Sequence, residues 1–184
     1  LNCATPNEGI CDGEDAINLL GGATDFISYP SSVPSQSSFT YSPCSAGGCL
    51  RGVHYTNDGS DERLYVLDQD RLMIFDVADP IINGDNAIDL VGQREGLLPD
   101  WDRNGPNGGP KSTGLYNPVD IEFDEVNNRA FITDWVNRRV VVHNLDVSND
   151  FVDYVADNIL GGLLSLTTFT TNGEHFADPY GLAY

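Results

Sequence analysis

Basic residues are scarce in this chain. Nine lysines and arginines stand against 28 aspartates and glutamates over 184 residues, and Lys111 is the only lysine, for a net charge of −19. Nucleic acid is thereby excluded as an expected partner, because phosphate binding depends on clustered Lys and Arg. An acidic surface suits solubility, cation binding or a cationic partner. Long apolar runs are also missing: nothing approaches the roughly 18 residues a membrane helix needs, so no membrane span is expected. No Asn-x-Ser/Thr sequon occurs, which removes N-glycosylation. The chain starts at Leu1 without Met or a signal-peptide pattern, and reads as a mature or trimmed segment. His54, His143 and His175 are the only histidines. They do not cluster in sequence, so no Ser/His/Asp triad can be nominated.

What is present is enough to fold. Hydrophobic residues make up 40% of the chain and aromatics 10%, which argues against disorder. Four cysteines sit in two close pairs. We read them as disulfides, Cys3 with Cys11 and Cys44 with Cys49, and hence place the chain in an oxidising, extracellular or cell-surface setting. Zinc is the rival reading, and it fits less well because seven residues separate Cys3 from Cys11 and no histidine lies near by in sequence.

The chain repeats itself. Ala16-Ile-Asn-Leu-Leu-Gly-Gly22, Ala87-Ile-Asp-Leu-Val-Gly-Gln93 and Ala156-Asp-Asn-Ile-Leu-Gly-Gly162 follow one another at offsets of 87 − 16 = 71 and 156 − 87 = 69 residues. Between them, Arg63-Leu-Tyr-Val-Leu-Asp68 corresponds to Arg129-Ala-Phe-Ile-Thr-Asp134, and Arg71-Leu-Met-Ile-Phe-Asp76 to Arg139-Val-Val-Val-His-Asn144. Leu50-Arg-Gly-Val-His-Tyr55 pairs with Pro118-Val-Asp-Ile-Glu-Phe123, and Pro179-Tyr-Gly-Leu-Ala-Tyr184 begins a third copy. Each block is short, rich in Val, Ile, Leu, Phe and Tyr, and bounded by Asn, Asp and Gly, the signature of strands. The expected fold is all-β, with first strands at 50–55, 118–123 and 179–184, second at 63–68 and 129–134, third at 71–76 and 139–144, and fourth at 15–20, 86–91 and 155–160. Short polar links make each set an antiparallel meander.

Asn117-Pro-Val-Asp-Ile-Glu-Phe-Asp124 followed by Asn128-Arg-Ala-Phe-Ile-Thr-Asp-Trp-Val-Asn-Arg-Arg-Val-Val-Val-His143 resembles an NHL repeat. The Ala-Asp-Asn-Ile-Leu-Gly-Gly segment resembles the outer strand of bacterial extracellular NHL-like arrays. The resemblance implies a four-stranded β-propeller blade per repeat of about 70 residues. Residues 50–91 depart from it, with Leu50 for the proline and a shorter Gln69-Asp70-Arg71 turn. The implied divisions are 1–22 as the end of a preceding blade, 23–93 and 94–162 as full repeats, and 163–184 as the start of another. About two and a half blades cannot close a ring of four to eight. The open edge at Gly181, Leu182, Ala183 and Tyr184 therefore reads as an assembly strand, to be paired by a copy of the chain or by further blades of a longer one.

The connections 23–49, 94–117 and 163–178 are long and fall on one face, with the second-to-third turns. Long loops on a rigid scaffold carry function or act as covers. That face, carrying Asp68, Asp70, Trp101, Asp134, Trp135 and Arg138, is the candidate binding surface for a carbohydrate or protein ligand. Trp101 and Trp135 are candidate stacking platforms, with packing at the core's edge as the alternative. Asp100-Trp-Asp-Arg-Asn-Gly105 has the spacing of a calcium loop in Asp100, Asp102 and Asn104, although Lys111 occupies the position of the closing Glu and a plain turn is the alternative. Ser31, Ser32, Ser35, Ser37, Ser38 and Thr40 lie in a Ser/Thr-rich stretch that permits O-glycosylation. The sequence points to a non-catalytic extracellular module for adhesion, recognition or structural assembly, with no cofactor required. The alternative is part of a propeller hydrolase or lyase whose catalytic residues lie on other blades.

Overall fold

The computed structural model describes residues 18–21, 33–39, 50–59, 61–78, 80–95, 98–103, 105, 111–161, 176 and 178–183. The four cysteines lie outside them, as do Ser31, Ser32, Thr40, Asn104, His175 and Tyr184.

Two four-stranded antiparallel sheets frame the described residues, with no helix among them. Strands β1 (Leu50–Asn57), β2 (Glu62–Asp68), β3 (Arg71–Asp76) and β4 (Asp89–Val91) hydrogen-bond in chain order. A two-stranded hairpin of β5 (Arg94–Glu95) and β6 (Leu98–Pro99) follows. Strands β7 (Pro118–Asp124), β8 (Arg129–Asp134), β9 (Arg139–Asn144) and β10 (Asn158–Leu160) then repeat the meander. The second and third strands stand within a residue of where the sequence places them. The outer strands are half as long as expected, and the β5–β6 hairpin inside the 94–117 connection was not anticipated.

Two expected strands are corrected. Leu20 and its described neighbours form no strand, although Gly21 bridges to Ser38. Residues 178–183, including Gly181, Leu182 and Ala183, form none either. Their contact with the sheet runs through a side chain, the Leu182 N–H donating to Asp120 Oδ2 at 2.8 Å. A run of β-formers without the second strand of its hairpin has no ladder to join, and local propensity alone does not make a strand.

The pairings of the two sheets match position for position. Leu50 faces Asp68 and Val53 faces Val66, just as Pro118 faces Asp134 and Ile121 faces Ile132, with a register shift at the same place in β1 and β7. The shift puts Gly52 and Asp120 at equivalent bulges. They touch across the sheet boundary, for a Cβ on Gly52 would lie 3.2 Å from the Asp120 Cα and from the Val119 carbonyl oxygen.

One core lies between the sheets. Tyr65, Leu67, Leu72, Ile74 and Val91 of the first meet Ile121, Phe123, Ala130, Ile132 and Val141 of the second. The Phe123 ring lies 4.6 Å from His54, stacked, and 4.7 Å from Tyr65. Burying each such side chain contributes about 1.5–3 kcal/mol. A second cluster of Val66, Met73, Phe75 and Ala87 covers the other face of the first sheet, against Leu20, Phe39 and Trp101. Apolar packing on both faces explains why β3 reads as an unbroken Leu-Met-Ile-Phe run.

Glycine is required where the outer segments end. Gly21, Gly92 and Gly161 have φ of +102°, +98° and +78°. A Cβ there would meet the ring of Phe39, the side chain of Leu115 and the ring of Phe176, respectively. The three Ala-x-x-x-x-Gly segments thus share one purpose, a left-handed exit under an apolar side chain of a connection.

Candidate functional site

The end of the sheets that carries the β2–β3 and β8–β9 turns is built around two buried ion pairs. Each second strand ends in Asp and each third begins with Arg, so the ladder sets Asp68 opposite Arg71 and Asp134 opposite Arg139. Arg71 donates from Nε to Asp68 Oδ2 at 3.0 Å, and Arg139 from Nε to Asp134 Oδ2 at 2.7 Å. All four side chains are shut off from solvent.

Other guanidinium donors reach outward to the long connections, although Arg139 Nη1 finds no hydrogen-bond partner among the described residues. Arg71 donates to the carbonyls of Ser38 and Trp101. Arg139 donates to those of Lys111 and Gly114. Asp134 Oδ1 accepts from the Tyr116 N–H at 2.7 Å, while Oδ2 also takes Asn137 Nδ2. Asp70 Oδ1 accepts from the Asn117 N–H at 2.8 Å, and Gln93 Nε2 donates to the carbonyls of Asp70 and Gly105. Each Asp–Arg pair therefore clamps loop backbone onto the sheet, using a planar fork of donors that lysine lacks.

Burial dominates the electrostatics of these groups. It raises the Asp134 carboxyl, against the opposing pull of Arg139 and the hydrogen bonds from Asn137 and Tyr116. Burial likewise raises Asp70 and lowers Arg71, where Asp68 resists the shift. A pair of this kind is costly to break, because removing one partner strands the other charge in a dry site.

Three of the expected surface residues are therefore corrected: Asp68, Asp70 and Asp134 are buried and hold loops, and their carboxylates do not face solvent. Trp101 packs on the Val66–Met73–Phe75 cluster, the edge-of-core alternative. Arg138 is half-buried in the β8–β9 turn with a φ of +54°. In the proposed calcium loop, Asp100 is half-buried and Asp102 exposed. Among the described residues no group of three or more His, Cys, Asp or Glu is placed to hold a metal ion. Of the serines, Ser35 and Ser37 are half-buried. Ser38 is buried and its hydroxyl donates to the Val33 carbonyl, which removes it from the glycosylation candidates. His54 lies against Phe123, and His143 is buried against Phe151, so the two serve packing.

Trp135 is different. The Arg51 guanidinium lies 5.1 Å from the centre of its ring, the Tyr180 ring 5.2 Å away at 44°, and its Nε1–H donates to Asp178 Oδ1 at 3.2 Å. Arg51 precedes Gly52, at the β1 bulge, and Tyr180 precedes Gly181, which aligns with Gly52 in the repeat. Sequence reasoning missed both, since neither ends a strand nor lies in a turn, although the repeat alignment sets them one above the other.

Comparison with known protein families, curated proteins and solved structures found no match to this chain. Its reading rests on the geometry.

Proposed function

We propose that the chain is part of a propeller-type array and serves extracellular recognition or structural assembly without chemistry of its own. Like faces of like sheets stack in one sense, with β1 beside β7 and residues 178–183 next in line, and this order supports the propeller reading. The buried Asp–Arg clamps suit a scaffold that presents rigid loops at one end. The two close cysteine pairs support a compartment outside the reducing cytosol.

One observation carries the assembly reading. Val53 and Tyr55 of β1 are 62% and 50% exposed, while Ile121 and Phe123, their register equivalents in β7, are 2% and 6% exposed beneath the neighbouring sheet. The β1 edge of a face that is core in the second sheet is thus open in the first, beside the covered Val66–Met73–Phe75 cluster, and exposed apolar surface of this kind marks an interaction site. Another sheet of the same repeat, from a second copy or from further sequence, fits it. Sedimentation velocity across a range of concentrations tests this. The chain is expected to self-associate, and the double substitution Val53→Glu and Tyr55→Glu to leave monomer. A single monomeric species at all concentrations, unchanged by the substitutions, refutes self-assembly.

A further inference from the structure

Five of the nine basic side chains are spent in ion pairs, namely Arg63, Arg71, Arg94, Arg129 and Arg139. Arg138 also has a partner, and Arg103 and Lys111 are exposed. Arg51 is the exception. It is half-buried, forms no ion pair among the described residues, and its Nε is buried without a hydrogen-bond partner. A partly desolvated guanidinium without a carboxylate partner among the described residues is unexpected in so acidic a chain. Stacking on Trp135 returns part of the desolvation cost but leaves its in-plane donors unused.

We propose that Arg51, Trp135, Tyr180 and Asp178 form a subsite for a sugar ring. The groups divide the work as a pyranose requires. Tyr180, 60% exposed, offers an open aromatic face to the apolar side of the ring. The Nη groups of Arg51, rather than its solvent-closed Nε, donate to ring or hydroxyl oxygens, and Asp178, already held by the Trp135 N–H, accepts from hydroxyls. The rings of Trp135 and Tyr180 meet at 44°, which forms no parallel slot for a flat base. Polyanionic ligands are disfavoured by the net charge of −19, so a neutral sugar or one bearing a single carboxylate is expected. The cluster sits where the first-strand segments begin, beside the clamped loops.

Trp135 is its own reporter. With Trp101→Phe as background, Trp135 is the sole tryptophan, and its fluorescence is followed while adding a neutral β-linked glucose hexasaccharide or galacturonate as a monosaccharide with its single carboxylate. A saturable change with at least one of them is expected, weakened roughly tenfold or more by Tyr180→Ala and by Arg51→Ala, and unaffected by Arg103→Ala. Arg51→Lys should rescue little, because an ammonium lacks the planar fork. A response to the neutral sugar assigns Arg51 to hydroxyls. A response only to the galacturonate, weakening with salt, assigns it to a carboxylate. No response to either up to about 10 mM, or binding undiminished in both the Tyr180 and Arg51 variants, overturns the proposal. Circular dichroism of each variant separates lost binding from lost fold. Tyr180→Ala, altering an exposed ring, keeps the test valid if Arg51→Ala unfolds.

Discussion

Replacing His143 by Phe should remove a loss of stability that the parent protein suffers in mild acid. His143 is buried on β9, its Nδ1 has no hydrogen-bond partner, and its ring meets that of Phe151 at 5.2 Å. Burial lowers its pKa from 6.5 to about 4; the carboxylates of Asp157 and Asp153 resist the shift, and Arg139 adds to it. Above pH 6.5 the ring is neutral in folded and unfolded chains alike, and stability is at its full value. Between pH 6.5 and about 4 the unfolded chain binds a proton that the folded chain refuses. Stability then falls by up to ~1.4 kcal/mol per pH unit, or about 3 kcal/mol across the window, and the loss levels off below it. Asp134 and Asp70 act in the opposite sense, since burial raises their carboxyls and the folded chain takes up their protons first. Their contribution is common to both proteins and cancels in the difference. Phe is the right substitute because Phe75 holds the equivalent ladder position in β3 and is equally buried. Urea unfolding of both proteins at pH 7, 5.5 and 4 measures the effect. The His143→Phe curve should lose about 3 kcal/mol less than the parent between pH 7 and 4. Parallel pH profiles would refute the reasoning and mean that the folded chain protonates His143 at an ordinary pKa.

Three further outcomes follow from the geometry. Arg139→Met should cost about 3–5 kcal/mol by stranding Asp134, whereas Asp134→Asn with Arg139→Met should recover part of this; denaturant midpoints measure both, and hydrogen exchange at 111–116 should speed up in each. Gly92→Ala should cost about 3 kcal/mol, since its Cβ would lie 2.9 Å from the Asp70 carbonyl oxygen at a φ of +98°, while Gly59→Ala, at +91° with open space, should cost about 1 kcal/mol in the same thermal unfolding assay. Arg94→Gln should cost about 1–2 kcal/mol in thermal unfolding, because the guanidinium lies 3.8 Å above the Tyr154 ring and also pairs with Asp89.

The strands were legible because they answer to local signals. Arg63 to Asp68 and Arg129 to Asp134 carry β-formers between turn residues, and six consecutive ladder pairs join each second strand to its third. The outer strands were overread because Ala87 and Ala156 look like strand residues. Their N–H groups instead donate to loop carbonyls, those of Gln36 and Ser112. Nothing in a strand's own sequence tells which partner takes its first hydrogen bond. The site was misread for the same reason. Asp68 and Asp134 follow apolar strands and precede turns, which is where exposed carboxylates also sit, and charge alone marks them as surface.

What separates the two cases is a pairing across the hairpin. An aspartate closing one strand and an arginine opening the next are forced opposite each other by the ladder, whether the turn has two residues, as at Gln69 and Asp70, or four, as at 135–138. That both turns preserve the pair despite differing in length indicates that the pair, not the turn, is what the repeat needs. The need lies in the connections, whose carbonyls at Ser38, Trp101, Lys111 and Gly114 have no strand to bond with and find the two arginines instead. With these cations turned inward, the acidic excess is left on the surface, and Arg51 stands out as the half-buried cation that no carboxylate among the described residues answers.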